Sequence, residues 1–131
     1  MSKHRIRLAG PWDFQIVDSG LVPRGETSEC RLPVTLVDLT NEPGIQLRRG
    51  FHKPTGIDGK LLRLVLQANT PPRAVLINDV RIAESAVEHE SEYAFEITTH
   101  IKPFNWVCVL LTVEDYQPSP VLNTVWLEIL E

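Results

Sequence analysis

The sequence predicts an all-β fold of two antiparallel sheets packed face to face. Three observations lead there. Ten prolines and seven glycines punctuate the 131-residue chain, at the spacing of short strands joined by turns. The runs between them alternate apolar and polar residues with a period of two. No run has the length and the 3.6-residue period of a long helix.

The strands follow in order. Leu61-Leu62-Arg63-Leu64-Val65-Leu66 puts Leu62, Leu64 and Leu66 on one face. Ala74-Val75-Leu76-Ile77 comes next. Asn78-Asp79 tolerates the positive φ of a two-residue hairpin turn, and Val80-Arg81-Ile82 returns. Tyr93, Phe95 and Ile97 share a face of the following strand. The run from Trp106 to Val113 is the longest apolar one, and its β-branched content predicts a central strand buried on both faces. On that reading Cys108 is a small core residue. Thr124–Leu130 alternates again and closes the chain. Glu84–Glu92 and Ile101–Phe104 are each expected to make one short turn, and Val17–Arg31 is expected to be a compact connection. Trp12 and Trp126 are expected in the core, where large aromatics contribute most.

Composition bounds the function. A chain of this length suits one domain, spanning residues 1–131, and 43% apolar residues suffice for a core. The net charge of -4 argues against nucleic acid as a partner. Residues 1–60 hold nine Lys/Arg and seven Asp/Glu, residues 61–131 four and ten. That asymmetry suits a solvated face as well as a polar binding face. No apolar run is long enough to cross a bilayer, so no membrane partner is expected. The first ten residues, MSKHRIRLAG, have no apolar leader segment, and the two cysteines lack CxxC spacing. A cytoplasmic setting with free thiols is the expectation, with no metal and no cofactor. Leu21-Val22-Pro23-Arg24-Gly25 reads like a thrombin site and is taken as a native, accessible loop.

Several stretches, taken in order, resemble the sugar-binding domain of glycoside hydrolase family 2, the β-galactosidases and β-glucuronidases. Leu8-Ala9-Gly10-Pro11-Trp12-Asp13-Phe14 resembles the family's opening Leu-x-Gly-x-Trp-x-Phe, and Leu32-Pro33-Val34 the short segment after it. Leu47–Pro54 and Gly59–Leu64 resemble its Tyr-Arg-x-x-Phe-x-x-Pro and Gly-Lys-x-x-x-Leu pair. Val75–Asp79, Phe95–Thr98 and Asn105–Val109 resemble its Val-x-Val-Asn-Gly, Phe-Asp-Val-Thr and Asn-x-Leu-x-Val.

The resemblance implies a galactose-binding-like jelly-roll β-sandwich. In that family the catalytic carboxylate pair lies in a separate barrel, so the implied role here is sugar binding without hydrolysis. It also implies a site. Glu88, spaced back from Phe95, stands where some members place a carboxylate on bound sugar, and Arg49 where another contact arises. With His89, Glu90 and Tyr93 they form the expected ligand-binding set, since a carboxylate beside a guanidinium suits paired hydroxyls. Trp106 and Tyr116 are further candidates for an exposed ring. Glu88, Glu90 and Glu92 lack the Gly and Asp/Asn of a calcium loop.

Two functions from different classes follow. One is a non-catalytic carbohydrate-binding module taking a mono- or oligosaccharide. The other is a protein-interaction or assembly domain, with a protein partner or a second copy, that uses the sandwich without a sugar site.

Overall fold

The computed structural model describes residues 3–40, 42–84, 86–89, 91–113 and 119–131; the side chains of 86–89 lie outside that description. The described residues form two antiparallel sheets around a shared apolar core. The first sheet has the order β1 (Lys3–Arg7), β12 (Val121–Leu130), β6 (Leu61–Ala68), β10 (Glu92–Glu96) and β9 (Ala86–His89), with the short β4 (Val34–Thr35) also paired to β12. The second has the order β3 (Pro23–Cys30), β2 (Trp12–Val17), β5 (Gly44–His52), β11 (Phe104–Thr112), β7 (Ala74–Ile77) and β8 (Val80–Arg81). Helix is confined to the four-residue α1 (Leu36–Leu39) and a 3-10 turn at Thr98–His100. This is the expected all-β sandwich.

Period-two alternation places the core. Leu62, Leu64 and Leu66 of β6 are fully buried, as are Val75 and Ile77 of β7. The β6 leucines face Ile45 and Leu47 of β5, Val107, Val109 and Leu111 of β11, and Val75 and Ile77 of β7 across the sandwich interior. Trp12 is also fully buried, and its indole Nε1 donates to the Leu8 carbonyl at 3.1 Å. The Asn78-Asp79 turn takes positive φ values of 51° and 69° and joins β7 to β8, as the hairpin reading required.

Seven expectations need correction. β11 is central, but only one of its faces is buried: Phe104 and Trp106 are exposed, and Cys108 and Leu110 are partly so. Cys108 is therefore not a core residue. Trp126 likewise points away from the core, because Val125 and Leu127 take the inward register. The compact connection over residues 17–31 is largely an eight-residue edge strand, β3. Leu21–Gly25 is accordingly half turn and half strand, with Arg24 opposite Ile16. The turn expected within Glu84–Glu92 contains strand β9 instead, and the one expected at 101–104 falls at Thr98–His100.

Candidate functional site

The outer face of the second sheet carries a candidate site that joins an exposed ring to polar side chains. It starts from one buried polar side chain. Asn105 is completely enclosed. Its Oδ1 accepts from the Lys102 amide at 2.7 Å and from Asn78 Nδ2 at 2.9 Å, and its Nδ2 donates to the Lys102 carbonyl at 2.8 Å. Asn78 also donates to the His100 carbonyl, and its Oδ1 accepts from the Trp106 amide at 3.0 Å. These bonds pin the start of β11 to the β7–β8 turn, so every polar atom of both amides has a partner. With Asn105 locked inward, Phe104 and Trp106 must face outward.

The rings on that face are ordered by neighbours. Phe104 lies over Gly50, where a Cβ would stand 2.5 Å from the ring, so any larger residue would displace it. Phe104 meets His52 edge-on at 5.0 Å and Trp106 edge-on at 5.7 Å between centroids. The Arg48 guanidinium sits 4.9 Å over the Trp106 ring. Trp106 is 39% exposed.

Beside that ring is a depression of about 140 Å³ lined by Asp13, Phe14, Gln15, Thr27, Gln46, Arg48 and Trp106. The strand register explains the grouping. Asp13 pairs with Arg48 and Gln15 with Gln46 across β2 and β5, so four polar side chains share one face. Arg48 is in turn opposite Cys108 on β11. The Cys108 thiol is pushed up to about 11, chiefly by burial, with Arg48 opposing and Asp79 adding to the shift. It is a protonated, unreactive group at neutral pH. Chemically the depression offers an apolar ring face, a carboxylate, two amides and a guanidinium. Asp13 is the single carboxylate in its lining, so the pair that glycoside cleavage needs is not assembled there.

The residues expected from sequence fall elsewhere. Arg49 takes the inward register of β5 between Leu47 and Phe51. Its Nη1 donates to the Gly50 carbonyl at 3.3 Å, and its Nε is buried without a partner. Tyr93 lies on the other sheet, opposite Leu66, half-buried against the core. Glu88 and His89 belong to β9, but their side chains lie outside the described residues, as do Glu90 and Tyr116 entirely. Of the candidate rings, Trp106 is the one the structure exposes beside polar groups. Asp13, Gln15, Gln46 and Arg48 went unread in the sequence. Their signal was two polar pairs spaced i, i+2 on neighbouring strands.

No family model and no curated protein sequence matches the chain. Solved structures do. The chain is similar to Lactobacillus rhamnosus β-glucuronidase, with a TM-score of 0.71 and 18% identity over 99% of this chain and 29% of that one. It is similar to a putative β-galactosidase from Bacteroides fragilis, with a TM-score of 0.74 and 17% identity over 98% of this chain and 23% of that one. A glycosyl hydrolase family 2 member from Bacteroides cellulosilyticus gives 0.73 and 14% over 95% and 20%. The chain thus spans under a third of the length of these enzymes, and its 131 residues contain no catalytic barrel. What these residues share with family 2 glycoside hydrolases is the fold of one β-sandwich domain.

Proposed function

We propose that this domain is a non-catalytic carbohydrate-binding module. One observation carries the reading: an exposed indole, Trp106, stands beside a concave group of Asp13, Gln15, Gln46 and Arg48. The C–H face of a pyranose stacks on such a ring, and the polar groups accept from or donate to its hydroxyls. The depression is shallow, so the ligand is a mono- or short oligosaccharide held at millimolar affinity. The two free thiols support a cytoplasmic setting.

A ligand-observed NMR screen of neutral and acidic mono- and oligosaccharides tests this. Trp106→Ala and Asp13→Asn should abolish any hit. A hit that survives both, but is lost in Arg49→Ala or Glu88→Gln, would move the site to the set expected from the family resemblance. A screen with no hit would sink the sugar reading.

The assembly reading has its own observation. Phe104, 44% exposed, extends the same face beside Trp106, and adjoining exposed rings also suit a protein contact. Sedimentation at rising concentration tests self-association, and Phe104→Ser should remove it.

A further inference from the structure

We infer that a second site, a groove beside the β7–β8 hairpin, binds a small carboxylated ring compound. The groove holds about 360 Å³, within the roughly 300–1,000 Å³ of small-molecule pockets. Val75, Ile82 and Phe95 form its buried apolar floor, reaching from the second sheet to β10 of the first. Pro71 and Pro72 add a stiff wall that needs no ordering when a ligand enters. A flat ring of six atoms suits that floor.

The rim supplies the charge. Arg73 and Arg81 both line the groove. Among the described residues neither guanidinium has an ion-pair or hydrogen-bond partner, whereas Arg5, Arg24 and Arg63 each hold a carboxylate. Arg81 lies opposite Leu76 in the hairpin, three residues along β7 from Arg73, or about 10 Å at the rise of a strand. The two guanidinia therefore border one groove from separate points, one fork for the carboxylate and the other adding to the positive field around it. Glu84 stands on the same rim and forms no ion pair with either arginine. The local balance of two positive groups and one negative favours a monoanion, and a planar carboxylate matches the guanidinium fork. This groove shares no lining residue with the Trp106 depression, so the inference stands apart from the sugar reading.

The test is an amide-resolved NMR titration of the whole chain with benzoate, galacturonate and neutral galactose. Benzoate or galacturonate should shift the amides of Arg73, Arg81, Ile82 and Phe95, with saturation on the order of millimolar. Arg73→Gln and Arg81→Gln should each weaken that binding at least about tenfold. Both side chains are exposed, so the variants keep the wild-type spectrum elsewhere. Arg48→Gln should leave the affinity unchanged. Shifts from benzoate alone assign an apolar ring, and shifts from galacturonate alone assign a sugar acid; either supports the site. No shift from either acid, equal affinity in both arginine variants, or equal binding of galactose would overturn it.

Discussion

The outer faces of the two sheets have the same alternation and opposite fates. On the second sheet the outward residues of β11 include Trp106 and Phe104, both exposed. On the first sheet the outward residues of β6, β10 and β12 include Val65, Ala94, Arg63 and Glu128, and all four are buried. Glu128 is wholly enclosed, yet it accepts from Arg63 Nε at 3.0 Å, from Arg63 Nη2, and from Arg5 Nε at 2.8 Å. Arg5 also donates to Glu92 at 3.0 Å and sits 4.7 Å over the Trp126 ring. Each face thus pairs a tryptophan with an arginine. On the first sheet the pair is tied into a carboxylate network and does structural work. On the second Trp106 stays partly exposed and Arg48 holds no carboxylate among the described residues. A charged group withdrawn from water must be fully paired, whereas an exposed one is free to exchange partners.

The largest test of that contrast is Glu128→Ala. It leaves the Arg63 and Arg5 guanidinia without their shared carboxylate, and should cost about 3 kcal/mol in denaturant unfolding, the low end for a broken buried pair because Arg5 keeps solvent contact. The same carboxyl gives a pH signature. Burial pushes it up, but hydrogen bonds from Arg63 and then Arg5 outweigh burial and hold it below its ordinary value. Its stabilisation is therefore complete above the unfolded carboxyl value of about 4.3 and disappears as pH falls through the lower folded value. Glu128→Gln should flatten the acid limb of the stability curve. An unchanged acid limb would mean other carboxylates set it.

Next in size is Asn105→Ala. It strands the Lys102 amide and carbonyl and removes a partner of Asn78, which should cost about 2–3 kcal/mol. Loss of Trp106 indole order in near-ultraviolet circular dichroism should accompany it. Trp106→Ala itself should change stability by under about 1 kcal/mol, since it removes one edge contact and one cation–π contact at a solvated face. A larger loss would show that this face is structural after all. The smallest effect concerns Cys108. With its thiol raised to about 11, alkylation at pH 7.5 should be negligible in the folded chain and rapid in denaturant, read by mass spectrometry. Fast labelling of the native protein would mean that the outer face opens more than its burial indicates.

Much of the fold is legible in the residues. The Leu62-Leu64-Leu66 alternation, the Asn78-Asp79 turn and the proline and glycine spacing each state a local preference, and the chain follows all three. β1 and β3 were not legible. Lys3–Arg7 is mostly charged, and Pro23–Cys30 holds Pro23, Gly25, Glu26 and Glu29. Such edge strands are held by backbone bonds to β12 and β2 and present no apolar stripe to read.

The candidate site divides the same way. Sequence alone determined that Trp106, Cys108 and Leu110 share a face, because side chains on a strand alternate with a fixed period. It also determined most strands of the second half of the chain, β9 excepted, because their turns are written in Gly, Pro and Asn-Asp. Only the tertiary structure decided that this face is open while its counterpart on the first sheet is closed. Asp13, Gln46, Arg48 and Trp106 come from three strands far apart in sequence, and they meet because β5 lies between β2 and β11. Pairing order is settled by long-range backbone hydrogen bonds and a shared core, and no local run of residues encodes it.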